Sequence, residues 1–506
     1  MLFNSYIFVL LFLPLTVIIY HLINKTGHHT LGKVFLLMMS LWFYCYTDFQ
    51  NVFVLLGSIA VNYVIAEYVF CINMKLPLKK LVLGLSVAAN LALLIWFKYT
   101  GFLADIINSL SGSSFKVENL IFPLGISFFT FSQISYLVDS YRAGKPGETS
   151  FTPDKIKDPV TRYSFLDYAL FVSFFPKVSV GPIAFAREII PQFNDKLKKT
   201  ADYGNISKGL MMFSFGLAKK VLIADNMALI ADFGYEHIDL LDTPLALIVI
   251  LAYSMQLYFD FSGFCDMASG ICLMINIDLP VNFNSPYRAL SINDFWKRWH
   301  ITLTRFFREY VYFPLGGSRK GTFRTYLNIF IIFFLSGIWH GANYTFVLWG
   351  AIHGLGMCLS KALSGITEKL PKAVRFILTY TFVSLTWVFF RADSVESAIE
   401  VFRRLFSFEF KPIVPAFVVS ALPVEGELFQ WILAKHNPAN PTTVTGFIII
   451  LLPLLFALTA SVKMKNAGER AQTFKPSRKY LTVTVILLVW SVLSLSEVTT
   501  FLYTNF

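Results

Sequence analysis

Two histidines lie in a strongly apolar stretch of the chain, LSGIWHGANYTFVLWGAIHG (335–354), at positions 340 and 353. A polar ring in hydrocarbon is costly unless it is partnered or faces a wet cavity, so such residues are candidates for function. A neutral imidazole is a common base for removing a proton from a hydroxyl, and burial favours the neutral form. His340 and His353 are therefore candidates for proton transfer, either toward a reacting hydroxyl or along the proton relay of a transporter.

Two carboxylates are placed in a similar way. The stretch YFDFSGFCDMASG (258–270) carries Asp260 and Asp266 within another apolar run. A buried acid can orient or polarise a reacting group, or carry a proton. The chain has no HExxH, GxxxxGKS/T or GxSxG motif, so it lacks the signatures of zinc peptidases, P-loop enzymes and serine hydrolases.

The cysteines do not indicate a metal or redox site. All of them sit in or beside apolar runs, and none has CxxC or Cys/His spacing. They are Cys45, Cys71, Cys265, Cys272 and Cys358. We predict that they are small core residues, and that the protein has no metal site.

The elements that must position these side chains are membrane helices. Only 15% of the 506 residues are charged, against about 25% in ordinary soluble chains, and the mean hydropathy is +0.60. Apolar runs long enough to cross a bilayer recur roughly a dozen times, without the alternation of a membrane β-barrel. Examples are Ser5–Ile23, Asn51–Cys71, Leu81–Phe97, Leu245–Tyr258, Tyr326–His340, Gly446–Val462 and Tyr480–Leu495. These patterns predict an all-α polytopic membrane protein with one membrane domain over residues 1–506, whose chemical core lies at 258–354.

Charge predicts the sidedness. The net charge of +12 is concentrated in clusters at 75–80, 196–199, 288–324 and 463–479, whereas the loop Asp232–Asp242 has acids and no Lys or Arg. Lys/Arg-rich loops remain in the cytoplasm, so the clusters are placed inside and the acidic loop outside. The first apolar run has no basic residues before it and no cleavage site after it, which predicts a retained helix with its N-terminus outside. The basic balance is thus explained by topology rather than by nucleic-acid binding.

Two segments depart from simple membrane hairpins. Segment 171–193 contains prolines that break helices, and we expect it to re-enter the membrane or to lie along its surface. Segment 281–324 is too basic to cross. Within it, Ser291 and Asp294 form a capping-box pattern that starts a helix over 291–310, with an apolar stripe and an opposite basic face, as in helices of the cytoplasmic interface.

His300 falls inside the apolar stripe of that helix rather than on its basic face. A lone histidine in such a place is more often a packing residue than a catalytic one. The following turn, YFPLGGSRKGT (312–322), combines glycines with Arg319 and Lys320. Exposed backbone N–H groups beside cations can bind an anion, although a tight turn with cytoplasmic charges explains the same composition.

The chain resembles a known family in most of its length. Its motifs include PLGISFFTFSQISYLVDSYRAG (123–144), YFDFSGFCDMASG (258–270), FNSPYRALSINDFWKRWHITLTRFFREYVYFPLGGSR (283–319) and SGIWHGANYTFVLWGAIHG (336–354). These blocks resemble the membrane-bound O-acyltransferases, specifically the bacterial branch that contains alginate and peptidoglycan O-acetyltransferases. The C-terminal FLYTNF (501–506) departs from the aromatic ending that is common in this branch, so a docking or tunnel role for it does not carry over.

The resemblance implies a fold and a set of functional residues. It implies roughly a dozen transmembrane or re-entrant helices around a central tunnel, by the length criterion for membrane helices. His340, in the WHG block, matches the histidine held to be catalytic, and His300, in FWKRWH, matches the second polar position of the family core. The residues with possible supporting roles are Asp260, Asp266 and His353.

The resemblance also implies the reaction partners. Acetyl-CoA, as substrate rather than bound cofactor, would reach the tunnel from the cytoplasm, and the acceptor hydroxyl would belong to an extracytoplasmic polysaccharide or to a separate relay transferase. The implied location is the bacterial inner membrane. The residues that we expect to hold the phosphates of the donor are Arg305, Arg308, Arg319 and Lys320.

Two alternatives remain at this point. D-alanyl transfer from a carrier protein to teichoic acid shares the histidine blocks. A transporter is the more distant alternative, because transporters often have repeated halves and the first half of this chain has no echo of 258–354.

Overall fold

The structure is a computed structural model that describes residues 1–70, 74–115, 122–143, 163–411, 417, 444–495 and 501–502. Every regular element among these residues is a helix, and none is a strand, which confirms the predicted all-α fold. Cys71 and the last four residues of FLYTNF, for which predictions were made above, lie outside the described residues.

The helices follow one another with short connections. Those of the first half are α1 (Leu13–Lys25), α2 (His29–Thr47), α3 (Val52–Val64), α4 (Leu76–Ser111), α5 (Ile126–Ala143), α6 (Phe165–Ser173), α7 (Phe175–Val178), α8 (Ala186–Asn194), α9 (Tyr203–Ala218) and α10 (Asp225–Glu236). Those of the second half are α11 (Thr243–Met274), α12 (Ile292–Trp296), α13 (Ile301–Phe307), α14 (Thr322–His340), α15 (Tyr344–Ala362), α16 (Ser364–Thr367), α17 (Lys372–Arg391), α18 (Val395–Leu405), α19 (Val444–Lys463), α20 (Ala467–Gln472) and α21 (Arg478–Leu493). Wide π turns extend α1, α3, α9 and α13 at one end.

Six helical segments are long and apolar enough to cross a membrane. They are Phe8–Lys25, Val52–Val69, Leu76–Ser111, Thr243–Met274, Thr322–His340 and Lys372–Arg391. The predicted apolar runs of these regions overlap them, and the two C-terminal runs coincide with α19 and α21. The chain is thus a multi-pass membrane protein. The central tunnel and the number of crossings stay predictions.

Helix α11 forms the centre of the molecule. It has 32 residues, so it extends over about 48 Å, and 89% of its apolar window is buried inside the protein. A helix that is apolar all round is enclosed by other helices rather than exposed on one face. Its neighbours include α9, α10 and α17. Asp260 and Asp266 lie on this buried helix.

The proline-rich segment is broken, as predicted. Helix α6 ends at Ser173, α7 has only four residues, and α8 begins at Ala186 after an extended stretch. The amide of Ile183 in that stretch donates a hydrogen bond to the Thr302 hydroxyl (3.0 Å), so the break lies against the start of α13. An extended backbone is tolerated at membrane depth where it is buried in protein.

Glycines bring two helix pairs unusually close. In the pair α14–α15, a Cβ on Gly337 would lie 2.8 Å from the Cα of Gly350, and in the pair α9–α11 a Cβ on Gly216 would lie 2.6 Å from the carbonyl oxygen of Gly263. Such contacts leave no room for a side chain, as is common where membrane helices associate. The first pair carries His340 and His353, and the second carries Asp260 and Asp266.

Candidate active site

His340 is the last residue of α14, and Gly341 continues in an extended conformation. Its side chain is buried, with 3% of the residue exposed. Aromatic rings surround it: the ring centroid lies 4.9 Å from Trp339, 5.2 Å from Trp349 and 5.1 Å from Phe390. The close approach of α14 and α15 brings Trp349 into this wall. The imidazole therefore lies in an enclosed aromatic site.

A lysine that the sequence did not single out holds the end of α14. The Lys98 ammonium donates to the carbonyl oxygens of Trp339 (2.6 Å) and His340 (3.0 Å), and the Tyr99 hydroxyl donates to that of Ile338 (2.6 Å). The last carbonyls of a helix have no partner within the helix and carry partial negative charge, so a cation is stabilising there. Helix α4 thus fixes the backbone that carries His340. An ionisable residue within a membrane helix is itself a signal of function, but Lys98 follows directly after the apolar run that ended at Phe97.

The structure corrects the predicted helix over 291–310. The start is as predicted, because the Ser291 hydroxyl accepts a hydrogen bond from the amide of Asp294 (3.0 Å). The helix then stops at Trp296 and resumes at Ile301. His300 lies in the interruption with φ +43° and ψ +51°, the left-handed region that non-glycine residues rarely adopt. The single apolar stripe that placed His300 beside Phe307 is therefore wrong.

Asn282 accounts for the interruption. Its side-chain oxygen accepts hydrogen bonds from Nδ1 of His300 (3.1 Å), from the amide of Thr302 (3.2 Å) and from the hydroxyl of Thr302 (2.8 Å). In addition, its carbonyl oxygen accepts from the amide of Ile301 (3.0 Å). These bonds satisfy backbone and side-chain groups that a continuous helix would satisfy internally, and so offset the cost of the unusual backbone.

The same bonds define the protonation state of His300. A backbone amide can only donate, so the Thr302 amide identifies the Asn282 atom as the oxygen, and Nδ1 of His300 must then carry the proton. In the neutral ring the lone pair is consequently on Nε2. His300 lies outside the six membrane-spanning segments, and its burial lowers the pKa of the imidazole to about 3. The ring is neutral at physiological pH, with Nε2 available as an acceptor.

The structure brings the two predicted catalytic histidines to one aromatic residue. The ring of Trp339 lies 6.3 Å from that of His300 and 4.9 Å from that of His340. His340 is close enough to His300, His353 and Lys98 for their charges to interact with it. Two residues that are 40 positions apart in the sequence therefore share one buried site.

His353 is held differently. The indole N–H of Trp296 donates to Nδ1 (3.3 Å), so in the neutral ring Nε2 carries the proton and donates to the Thr386 hydroxyl (2.9 Å). That hydroxyl in turn donates to the carbonyl of Val383 (2.8 Å). Both ring nitrogens are thus engaged in joining α12, α15 and α17. This arrangement suits a supporting role through packing rather than contact with a substrate.

The two aspartates of α11 are in ion pairs with consecutive lysines. Asp260 lies 2.7 Å from the ammonium of Lys220, and Asp266 lies 2.5 Å from that of Lys219. The second oxygen of Asp260 accepts from the amide of Leu502 (3.0 Å). Among the described residues, neither carboxylate has a hydrogen bond to a histidine. The structure therefore does not bring the aspartates to His300 and His340.

The four cations predicted to bind the donor do not form one cluster. Arg305 makes a two-fold ion pair with Glu188 (2.5 and 2.8 Å) and stacks on the ring of Phe185. Arg308, Arg319 and Lys320 are exposed. The charge of Arg305 is already balanced within the protein, whereas the turn after α13 presents its cations to the surface. Their role in donor binding stays a prediction.

The cysteines of the described part of the chain are free thiols: Cys45, Cys265, Cys272 and Cys358. No group of three metal-ligating side chains was found among the described residues. The side-chain amide of Asn282 donates to the sulfur of Cys265 (3.3 Å), so this thiol packs behind the segment that shapes His300.

Comparison with known proteins places this arrangement in a family. A sequence model of the membrane-bound O-acyltransferase family matches residues 107–392. The chain is 44% identical over 422 residues to a peptidoglycan O-acetyltransferase from Helicobacter pylori, covering 80% of each protein. It is 36% identical over 465 residues to a Pseudomonas aeruginosa protein named "Probable alginate O-acetylase AlgI", covering 90% of this chain and 81% of that one.

A more distant relative carries the alternative chemistry. The teichoic acid D-alanyltransferase of Bacillus subtilis is 29% identical over 250 residues, which is 47% of this chain and 59% of that protein. The family match includes both histidines of the buried site, and the O-acetyltransferase relatives align over most of the chain. The protein belongs to the membrane-bound O-acyltransferase family and is a membrane-bound O-acyltransferase.

Proposed function

We propose that the protein transfers an acetyl group from acetyl-CoA in the cytoplasm to a hydroxyl on the other side of the bacterial inner membrane. The observation that carries the proposal is the pair of buried imidazoles, His300 and His340, on either side of Trp339. The names of the most similar relatives, a peptidoglycan O-acetyltransferase and an alginate O-acetylase, support acetyl as the group and a polysaccharide as the acceptor.

The chemistry assigns different tasks to the two histidines. His340 removes the proton of the acceptor hydroxyl as its oxygen attacks the thioester carbonyl. The new C–O bond forms, the C–S bond breaks, and the proton passes to the departing thiolate. General base catalysis supplies about 10²–10⁴-fold, so the positioning of both substrates must supply much of the remaining acceleration.

His300 is arranged to orient the acceptor. Because its Nδ1 proton is bonded to Asn282, the Nε2 of the neutral ring accepts a hydrogen bond but cannot donate one. It can therefore hold a hydroxyl by its proton, whereas polarisation of the carbonyl oxygen would need a donor. Asp266, the other group expected to orient or polarise, is paired with Lys219.

The direction of transfer rests on the charge distribution. The cationic turn at 316–321 precedes α14, and His340 ends it. From Arg324 to His340 the helix extends over roughly 24 Å, most of the hydrocarbon core. A donor whose phosphates remain at the cytoplasmic turn must extend its pantetheine arm inward to reach the site. The acceptor would be the polysaccharide itself or a hydroxyl of a separate extracytoplasmic transferase that relays the group.

The donor can be tested directly. Purified protein is incubated with radiolabelled acetyl-CoA and, in parallel, with a D-alanyl carrier protein, and label on the acceptor polysaccharide is measured. The proposal expects label only from acetyl-CoA and none with His340→Ala. Label from the D-alanyl carrier alone would establish the sibling chemistry, which the Bacillus subtilis relative represents over about half of this chain.

Sidedness needs a separate experiment. In a background without cysteine, Lys320→Cys should react with an impermeant maleimide only from the cytoplasmic side, and Asp239→Cys only from outside. Reaction of position 320 from outside would contradict both the topology and the proposed route of the donor.

A further inference from the structure

A basic cavity lies at the junction of the α1–α2 turn with the segment that follows α8. Its volume is about 820 Å³. The ionisable side chains that line it are His28, His29, Lys33, Lys196 and Lys199. No carboxylate is among the residues that line it, although a carboxylate, Asp167, pairs with Lys33 from behind.

Lys199 distinguishes this cavity from ordinary surface charge. The residue is only 4% exposed, yet none of the described carboxylates lies within ion-pair distance of its ammonium. Its one hydrogen bond is to the hydroxyl of Tyr20 (3.2 Å), which leaves two N–H donors. Burial, followed by the charge of Lys33, lowers the pKa of Lys199 to about 8. A buried ammonium without a counterion is costly unless an anion reaches it.

Lys33 shows the contrast. Its ammonium is bound by Asp167 (2.7 Å) and by the side-chain oxygen of Asn194 (2.8 Å). The charge of Lys33 is thereby balanced, while those of Lys196 and Lys199 are not. The cavity therefore carries an excess of about two positive charges, a count that follows from full protonation of both lysines at neutral pH.

The start of α2 adds to the attraction. The cavity includes the first residues of this helix of 19 residues, and the N-cap His28 makes no side-chain bond to them. The N-terminus of a helix has unpaired N–H groups and partial positive charge, which favour an anion such as phosphate. The helix end and the buried lysine are independent features on one cavity.

The location is a membrane surface. The segment after α8 is joined to the end of α11, because the side chain of Gln192 donates to the carbonyl of Asp278 (3.0 Å) and that of Asn276 donates to the carbonyl of Thr200 (2.7 Å). Asp278 begins the loop that the charge distribution places in the cytoplasm. Two aliphatic side chains that line the cavity, Leu31 and Val34, are exposed on the outside of α2.

We propose that this cavity binds a phosphate group at the cytoplasmic face of the membrane. The phosphate is carried either by the headgroup of an anionic phospholipid or by a soluble phosphate ester, and Lys199, Lys196 and the start of α2 bind it in both cases. The exposed aliphatic side chains beside the cavity would contact the acyl chains of a lipid. The site is distinct from the turn at 316–321 that is expected to hold the donor.

The test is a binding measurement with two probes. Native mass spectrometry of the full-length protein in neutral detergent is used to titrate phosphatidylglycerol, with phosphatidylcholine as the zwitterionic comparison, and coenzyme A as the soluble phosphate ester. The variant Lys196→Gln/Lys199→Met is compared with Lys475→Gln/Lys479→Gln, which removes the same charge from two exposed lysines. The cavity variant should bind the relevant probe about tenfold more weakly, and the control variant should match the wild type.

The outcomes separate the two sources. Weakened phosphatidylglycerol binding identifies a lipid site, and weakened coenzyme A binding identifies a soluble ligand. Equal losses in the two double variants, or no preference of the wild type for either anionic probe, would overturn the proposal. If Lys199→Met does not fold, Lys196→Gln alone should weaken binding about threefold to fivefold, and Lys199→Arg should retain it.

Discussion

Two close helix pairs bury ionisable groups in opposite ways. In the pair α9–α11, each aspartate of α11 is matched by a lysine at its own level, Asp260 by Lys220 and Asp266 by Lys219. In the pair α14–α15, the buried groups are imidazoles, which need no counterion while neutral. The comparison indicates which pair is structural. A charge that is fully balanced stabilises a packing arrangement, whereas a neutral base can still take a proton from a substrate.

The largest expected effect is on the histidine pair. His340→Ala removes the proposed base, so acetyl transfer should fall by about 10²–10⁴-fold while the protein inserts in normal amounts. The measurement is the rate of label transfer per unit of membrane protein. His237→Ala is the matched control, since it removes an imidazole from the predicted outer loop. Transfer near the wild-type rate in His340→Ala would remove this residue from the mechanism.

The aspartate pair should respond in stability instead. Asp260→Leu leaves Lys220 buried, with only Asp225 as an ion-pair partner (2.9 Å), and should destabilise the protein by about 3–5 kcal/mol. Thermal unfolding in detergent measures the loss. The double variant Lys220→Met/Asp260→Leu removes both charges and should recover much of it. A stable Asp260→Leu protein without turnover would show instead that this carboxylate takes part in the reaction.

Lys98 tests whether the end of α14 must be held. Lys98→Met removes two charge-assisted bonds to the backbone at His340, each worth more than a neutral one, and should lower kcat about tenfold with little change in KM. Lys98→Arg should recover part of the activity because it keeps the cation. Tyr99→Phe removes one neutral bond to the same helix end and should have a smaller effect. An equal loss in Tyr99→Phe would favour general loosening of α14 over a role for the cation.

The smallest effect is expected at the cytoplasmic turn. Arg319→Ala/Lys320→Ala should raise the KM for acetyl-CoA by about several-fold and leave kcat nearly unchanged, because the lost attraction acts equally before and during the reaction. Added salt should reduce the difference. Lys475→Ala/Lys479→Ala is the control for general surface charge, and the amounts of inserted protein must be compared. An unchanged KM in the inserted double variant would assign Arg319 and Lys320 to topology alone.

The sequence predicted much of the fold because membrane helices are determined locally. A long apolar run must be helical in lipid, since every backbone group needs a partner within its own segment. The helices that contain the predicted runs, the start of α12 at Ser291 and the breaks at 171–193 all follow from neighbouring residues. Local rules also placed His340 near the far end of a helix that starts shortly after the cationic turn.

The partners of the buried side chains depended on the tertiary structure. The pattern of α11 shows that Asp260 and Asp266 are buried, but only its packing on α9 shows that Lys219 and Lys220 meet them. The conformation of His300 likewise depends on Asn282, 18 positions earlier, whose bonds interrupt a helix that the local sequence favours. Lys98 reaches His340 across more than 240 positions. Periodicity reports which face of a helix is buried, whereas the contact that a buried group makes depends on a second helix, and no local pattern encodes that pairing.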